Sequence, residues 1–215
     1  MAFWHKYRNY ISFWILGLSN NYSYVIMLSA AYDIINGHEP KGGGSGDDGK
    51  GCNSMSTGAV LIADILPCLV VKLLAPFVFT NTNLRVSVVV ILSALSFIIT
   101  SLSMNIYFSY IGIVCASLSS GLGETTFLSY TSKFDSRVIS YWSSGTGASG
   151  LLGSMSYALL TSWGLSPKNT LLVMLFIPVL MALTYWCFIC EPTHPSITDE
   201  SVRPLISDSN DMPSL

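Results

Sequence analysis

Long apolar stretches fill this chain of 215 residues, and its few charges lie almost wholly outside them. Charged residues make up 10% of the sequence against 51% hydrophobic ones, whereas soluble domains carry roughly a quarter of their residues as charges. Six apolar stretches can be read, at 13–35, 57–79, 86–104, 107–130, 138–161 and 170–190. Each is long enough to cross a hydrocarbon core about 30 Å thick, which takes roughly 20 apolar residues in a helix. Backbone polar groups inside a bilayer must be satisfied within the segment, so each stretch is predicted to be an α-helix. The expected fold is therefore all-α and integral to a lipid bilayer.

The first stretch follows a basic segment, residues 1–12, with His5, Lys6 and Arg8. A cleaved signal peptide is the rival reading, but the stretch is too long for one and is interrupted by Asn20 and Asn21. A Gly-rich polar loop, 36–56, separates the first two stretches and is expected to be flexible. The other connections are short, which forces antiparallel neighbours and one compact bundle over 13–190. With a cytosolic N-terminus, the cytosolic side holds Lys6, Arg8, Arg85, Lys133, Arg137 and Arg203, and the lumenal side Lys41, Lys50 and Lys168. That asymmetry predicts both termini in the cytosol. The tail, 191–215, is polar and rich in Pro and Ser. Its Leu205-Ile206 pair, downstream of Asp199 and Glu200, resembles an endosomal–lysosomal sorting signal that an adaptor protein would read. Ser201 stands where the acid usually sits, and chance pairs of this kind are frequent in disordered tails.

Composition also excludes some functions. No basic patch with interleaved aromatics is present, so nucleic acid is not an expected partner. The five cysteines (Cys52, Cys68, Cys115, Cys187 and Cys190) do not form a disulfide framework. Cys187 and Cys190 make a C-x-x-C with no second pair; packing, or lipid modification near the membrane surface, fits it better than a metal. His5, His38 and His194 lie outside the stretches, and no His-Glu-x-x-His or paired intramembrane aspartates occur. Neither an enzyme nor a cofactor nor a metal is expected.

Ionisable groups at membrane depth are costly and by default mark function. Asp64, Cys68 and Lys72 fall on one helix face at four-residue spacing. Asp64 and Lys72 are about 12 Å apart along the axis at roughly 1.5 Å per residue, too far to pair but able to face one polar cavity. Snorkelling of Lys72 to the headgroups is the plainer alternative. Pro67 and Pro76 weaken the ladder of this helix. Glu124 ends a stripe with Gly112, Ala116 and Ser120, and small-residue stripes pack against other helices. Its carboxylate is predicted to face the bundle as a proton carrier or substrate contact, or as a structural hydrogen bond. Asn20, Asn21 and Tyr24 either join helices or line a polar path. Gly145, Gly147, Gly150 and Gly153 each weaken a helix by about 1 kcal/mol relative to Ala. Together with Gly121 and Gly123 they point to close packing or to a hinge for alternating access. The third and sixth stretches carry no charge, while the first, second and fourth carry the polar groups. By analogy of fold, this fits the six-helix half of a major-facilitator transporter, in which the first and fourth helices line the cavity and the third and sixth face outward.

The strings that carry these residues resemble the battenin family. They include Phe13 to Ala31, Ala63-Asp-Ile-Leu-Pro67, Lys72-Leu-Leu-Ala-Pro76, Ser119 to Ser129 and Tyr141-Trp-Ser-Ser-Gly-Thr-Gly147, with Gly164-Leu-Ser-Pro167 and Arg203-Pro-Leu-Ile206. The resemblance implies the N-terminal six-helix half of a major-facilitator-like protein of lysosomal or late-endosomal membranes. That family is implicated in clearing glycerophosphodiesters from lysosomes and in lumenal pH and basic amino-acid balance. Family members carry a second bundle of comparable size, so a second half or a homodimer would complete the central site. The charged loop motif of major-facilitator proteins is absent, since Asn81-Thr-Asn-Leu-Arg85 keeps one basic residue. The expected function is export of small polar or anionic metabolites, and the rival is a non-transport membrane scaffold in endosome–lysosome trafficking.

Overall fold

The computed structural model describes residues 2–37, 54–78, 81–103 and 106–190, and no strand occurs among them. Five long helices come first: α1 (Ala2–Gly37), α2 (Ser54–Val78), α3 (Thr82–Ser101), α4 (Ile106–Thr131) and α5 (Arg137–Ser162). The sixth stretch is broken into α6 (Pro167–Val173), α7 (Phe176–Leu183) and a π-helical turn, Thr184–Phe188. Most of the loop read at 36–56, and the whole tail with Leu205 and Ile206, lie outside the described residues.

Among the described residues, three stretches are long and apolar enough to cross a membrane: Thr82–Ser101, Tyr107–Thr131 and Pro167–Phe188. In α1, Ser19, Asn20, Asn21 and Ser23 dilute the apolar content, and in α5 the run from Ser143 to Gly150 does the same. The basic N-terminal segment is helical too, so α1 begins about three turns before the apolar stretch.

The sixth stretch is not one continuous helix. Pro178 has no N–H and its ring presses on the carbonyl four residues earlier, that of Met174. The chain accordingly turns at Met174–Leu175, where Leu175 N–H bonds to Leu172 O and Ile177 N–H to Met174 O. Upstream, Ser166 caps α6 by accepting from Asn169 N–H at 3.3 Å, and Pro167 takes the first helical position. Gly164, at φ +90°, ends α5 with paired bonds from Leu165 N–H to Leu160 O and from Gly164 N–H to Thr161 O.

α1 and α4 form the centre. α1 lies along α5 and also touches α4, α7 and the π-helical turn, while α4 packs against α3, α2 and α1. The outer faces of α2 (Ile62, Leu66, Leu73, Phe77), α3 (Ile91, Leu95, Ile98) and α7 (Phe176, Val179, Leu183) are exposed. The core is layered. An aromatic cluster built on Phe13, Phe127, Tyr130, Phe134, Trp142 and Tyr185 fills one end. Ile26, Met27, Phe97, Leu171 and Ile177 fill the other. Between them lies a buried polar layer: Ser23 Oγ meets Ser93 Oγ at 2.7 Å, and Ser119 Oγ donates to Val89 O at 2.8 Å.

In lipid, helices gain little from burying apolar surface against one another, so close contact and interhelical hydrogen bonds must hold them. The α1–α5 seam supplies the contact. A Cβ on Gly145 would collide with Trp14 O, and one on Gly17 with Trp142 O. Gly153 lies against Val25, Gly121 against Cys68, and Gly123 against Asn20. Gly147 and Gly150 do not belong to this packing set, since nothing lies within 4 Å of a Cβ at either. At about 100° per residue, they point away from the face that Gly145 presents to α1.

Polar contacts tie the aromatic end. Asn9 Nδ2 donates to Cys190 O at 3.0 Å, and Cys190 N–H donates back to Asn9 Oδ1 at 3.1 Å. Tyr185 donates to Asn83 Oδ1 at 2.6 Å. The hydroxyl of Tyr10, stacked on Tyr141, donates to Asp135 Oδ2 at 2.9 Å. Arg8, Arg85, Lys133 and Arg137 belong to this end, whereas Lys168 belongs to the other, where its Nζ donates to Ser103 O at 2.9 Å.

Two outcomes are expected from these contacts. Gly145→Ala lowers the melting temperature of the detergent-solubilised protein by several degrees, while Gly147→Ala and Gly150→Ala leave it unchanged or raised, by up to about 1 kcal/mol each in stability. The Tyr10 bond, with the backbone N–H of Arg137, holds the Asp135 carboxyl below the usual carboxylate range. A lowered folded pKa contributes stability that is fully present above the unfolded value, near 3.9, and is lost as pH falls through the folded one. The melting difference between wild type and Tyr10→Phe is therefore constant around neutrality and shrinks on acidification below about pH 4.

Candidate functional site

The site grows from the seam between α2 and α4. On α4, Ser117, Gly121 and Glu124 follow one another at spacings of four and three, which keeps them on one face. Opposite them on α2 stand Asp64, Cys68 and Lys72. In an unbroken helix the Cys68 N–H would bond to Asp64 O. Pro67 loosens the ladder at that point, and the Ser117 hydroxyl enters it, accepting from Cys68 N–H at 2.9 Å and donating to Asp64 O. One turn on, Gly121 lets the backbones approach, since a Cβ there would lie 2.8 Å from Cys68 O. Beyond it, Lys72 Nζ and Glu124 Oε2 pair at 2.7 Å.

This pair corrects one expectation and refines another. Lys72 does not snorkel away from the bundle, because its partner is the carboxylate on the neighbouring helix. The stripe ending in Glu124 does not face a single neighbour. Four-residue steps drift by about 40° each, so Gly112 packs against Thr100 on α3, Ser120 bonds to α1, and Glu124 reaches α2. The same drift separates the face of α2: Asp64 is fully buried while Lys72 is about a third exposed.

Lys72 and Glu124 open onto a cavity of about 330 Å³. Asn21 and Tyr24 of α1, Ile65, Cys68 and Leu69 of α2, and Ser120 of α4 complete its lining. Asn21 Oδ1 accepts from Ser120 Oγ at 2.9 Å, and its Nδ2 makes no hydrogen bond. Asn20 has the other role open to it: it is buried, and its Nδ2 donates to Ser120 O at 3.1 Å, joining α1 to α4. Both carboxylate oxygens of Asp64 are shielded and lack a partner in hydrogen-bond geometry; the Tyr24 hydroxyl is the polar group beside them.

The structure thus gathers Asn21, Tyr24, Lys72 and Glu124 around one space, with Asp64 just behind Tyr24 and Asn20 in the packing layer. Such a cavity offers one positive and one negative group, an amide and two hydroxyls, which together suit a small polar solute. Among the described residues no group of three His, Cys, Asp or Glu is placed to hold a metal. Ser117 was not apparent from sequence. Its signals were its place seven residues before Glu124 and the proline opposite, which leaves a helix in need of an outside polar partner.

Removal of the Ser117 hydroxyl is expected to cost about 1–3 kcal/mol, the usual penalty for stranding a buried polar group. Ser117→Ala lowers the melting temperature and Ser117→Thr keeps most of it. In a Pro67→Ala background, where α2 can close its own ladder, the Ser117→Ala penalty shrinks.

Comparison with known proteins covers nearly all of this architecture. The profile of the CLN3 protein family matches residues 11–212. Battenin of Canis lupus familiaris is 47% identical over 206 residues, covering 88% of this chain and 47% of that protein. Protein BTN1 of Yarrowia lipolytica is 39% identical over 180 residues, covering 82% of this chain and 42% of the relative. Protein BTN1 of Saccharomyces cerevisiae is 35% identical over 201 residues, covering 92% and 44%. The chain spans a little under half the length of these relatives. With apolar helices of membrane-crossing length and a family match that runs through α1, α2 and α4, the chain is a membrane protein and belongs to the CLN3 family.

Proposed function

We propose that this chain is a six-crossing, major-facilitator-like half of a lysosomal or late-endosomal transporter, and that the cavity between α1, α2 and α4 is its share of the path for small polar or anionic metabolites. The Lys72–Glu124 pair facing that cavity is the observation that carries the reading. Charges at membrane depth persist where they serve a substrate or ion path. A solute bearing an anionic group, such as a glycerophosphodiester, would compete for Lys72. Glu124, once released from Lys72, is then free to take a proton or to meet a cationic part of the same solute. Asp64, which lacks a counter-charge, is a second group able to exchange a proton, and Tyr24 separates it from the cavity. Asn21 and Ser120 supply orienting hydrogen bonds.

On this reading α1, α2 and α5 cross the membrane along with the three more apolar stretches. The end bearing Arg8, Arg85, Lys133 and Arg137 faces the cytosol, by the rule that positive loops stay inside. The remaining length of the relatives, or a second copy of this chain, supplies the opposite wall of the path. Effects on lumenal pH and basic amino acids follow from solute or proton movement through it.

The test is transport in the full-length protein. Glu124→Gln is expected to cut clearance of lysosomal glycerophosphodiesters about tenfold per molecule of protein that reaches the lysosome, beyond any fall in abundance from the lost ion pair. Clearance that falls only in proportion to abundance would make Glu124 structural alone. If Leu205→Ala with Ile206→Ala abolishes the phenotype at normal lysosomal delivery while Glu124→Gln does not, a trafficking scaffold working through a tail-bound adaptor replaces the transport reading.

A further inference from the structure

We propose that Cys187 and Cys190 are S-acylation sites that take long-chain fatty acyl groups and fasten the last helix to the bilayer surface. α7 presents an exposed apolar stripe: Phe176 (53%), Val179 (57%) and Leu183 (49%). Spacings of three and four residues within this one helix keep these side chains in line. The π-helical turn that follows closes with Ile189 N–H on Thr184 O, five residues apart. It carries the stripe onward to Cys187, beside the half-exposed Trp186, an indole of the kind that settles at membrane interfaces.

Ile189 then turns extended, and the reciprocal bonds between Asn9 and the Cys190 backbone hold that residue at the rim of the bundle. Both thiols are free and exposed, whereas Cys68 and Cys115 are free but partly covered within α2 and α4. The two exposed thiols therefore stand at the end of a lipid-facing stripe, at the end of the bundle that carries Arg8, Lys133 and Arg137. The proposal rests on the cytosolic placement of that end, since acyl-coenzyme A is a cytosolic donor.

The chemistry is a thioester exchange. The cysteine thiolate attacks the thioester carbonyl of a long-chain acyl-coenzyme A, under a membrane acyltransferase. A new carbon–sulfur bond forms, the old one breaks, and coenzyme A leaves as a thiol with the proton, so nothing is oxidised or reduced. An acyl chain attached at Cys187 or Cys190 can lie along the stripe down to Phe176. One chain alone gives marginal anchoring, but here it adds to a helix already in the membrane and fixes the depth at which the tail emerges.

The experiment is acyl exchange on the full chain in native membranes: free thiols are blocked, hydroxylamine cleaves thioesters, and a polyethylene-glycol maleimide reports the thiols released. A hydroxylamine-dependent mass shift is expected, kept in Cys115→Ser and lost in the Cys187→Ser, Cys190→Ser double variant. Absence of the shift, or its survival in the double variant, overturns the proposal. A membrane-impermeant maleimide, applied after only the plasma membrane is opened, separates the two premises. Labelling of Cys187 and Cys190 without any acyl shift overturns acylation while leaving the topology intact. Labelling only after the organelle membrane is opened overturns the cytosolic placement as well.

Discussion

A charge set among apolar helices needs a counter-charge within reach, and the pairing of Lys72 with Glu124 meets that need while fixing how α2 sits on the bundle. α2 has little else to hold it, because much of its outer face is exposed and its main neighbour is α4. The ion pair, the close approach at Gly121 and the Ser117 splice follow one another along this seam, and each constrains the same register. A slip of α2 by one residue would turn Lys72 through about 100° and strand both charges. The cavity exists because the register holds: Lys72 and Glu124 form one wall, and Asn21 and Tyr24 on α1 close the other.

The rest of the bundle separates work by depth. Aromatic and aliphatic clusters fill the two ends, and a serine and asparagine layer joins α1, α3 and α4 between them. Hydrogen bonds of that layer give direction to contacts that apolar packing leaves unspecific in lipid. Gly145 and Gly17 do the same for α1 and α5 by steric fit. Polar residues midway along α1 thus serve two ends at once, with Asn20 in the packing and its neighbour Asn21 on the cavity wall.

The first five apolar runs were legible as helices, while the sixth is split and α1 begins well before its run. Glu124 and Lys72 were legible as candidates because charge within an apolar run is rare. Their partnership was not, since it spans two helices far apart in sequence, and a one-dimensional spacing argument compares residues only along one helix. Four-residue stripes misled for a related reason: they drift around the axis, so Gly112 and Glu124 meet different neighbours. The break at Met174–Leu175 could have been read from Pro178, whose ring acts on the preceding turn. Gly147 and Gly150 carry the same letter as Gly145, and only the geometry shows that they face away from α1.

Exchange of the two charges is the most direct test that this pair organises the site. Abundance and melting temperature would be compared for Lys72→Glu, for Glu124→Lys and for the double variant. Each single change places like charges side by side, and the double change restores an opposite pair in the same place. The account predicts that the double variant recovers most of the stability lost in either single one, with a coupling of roughly 1 kcal/mol or more. A double variant no more stable than the sum of its parts would contradict it.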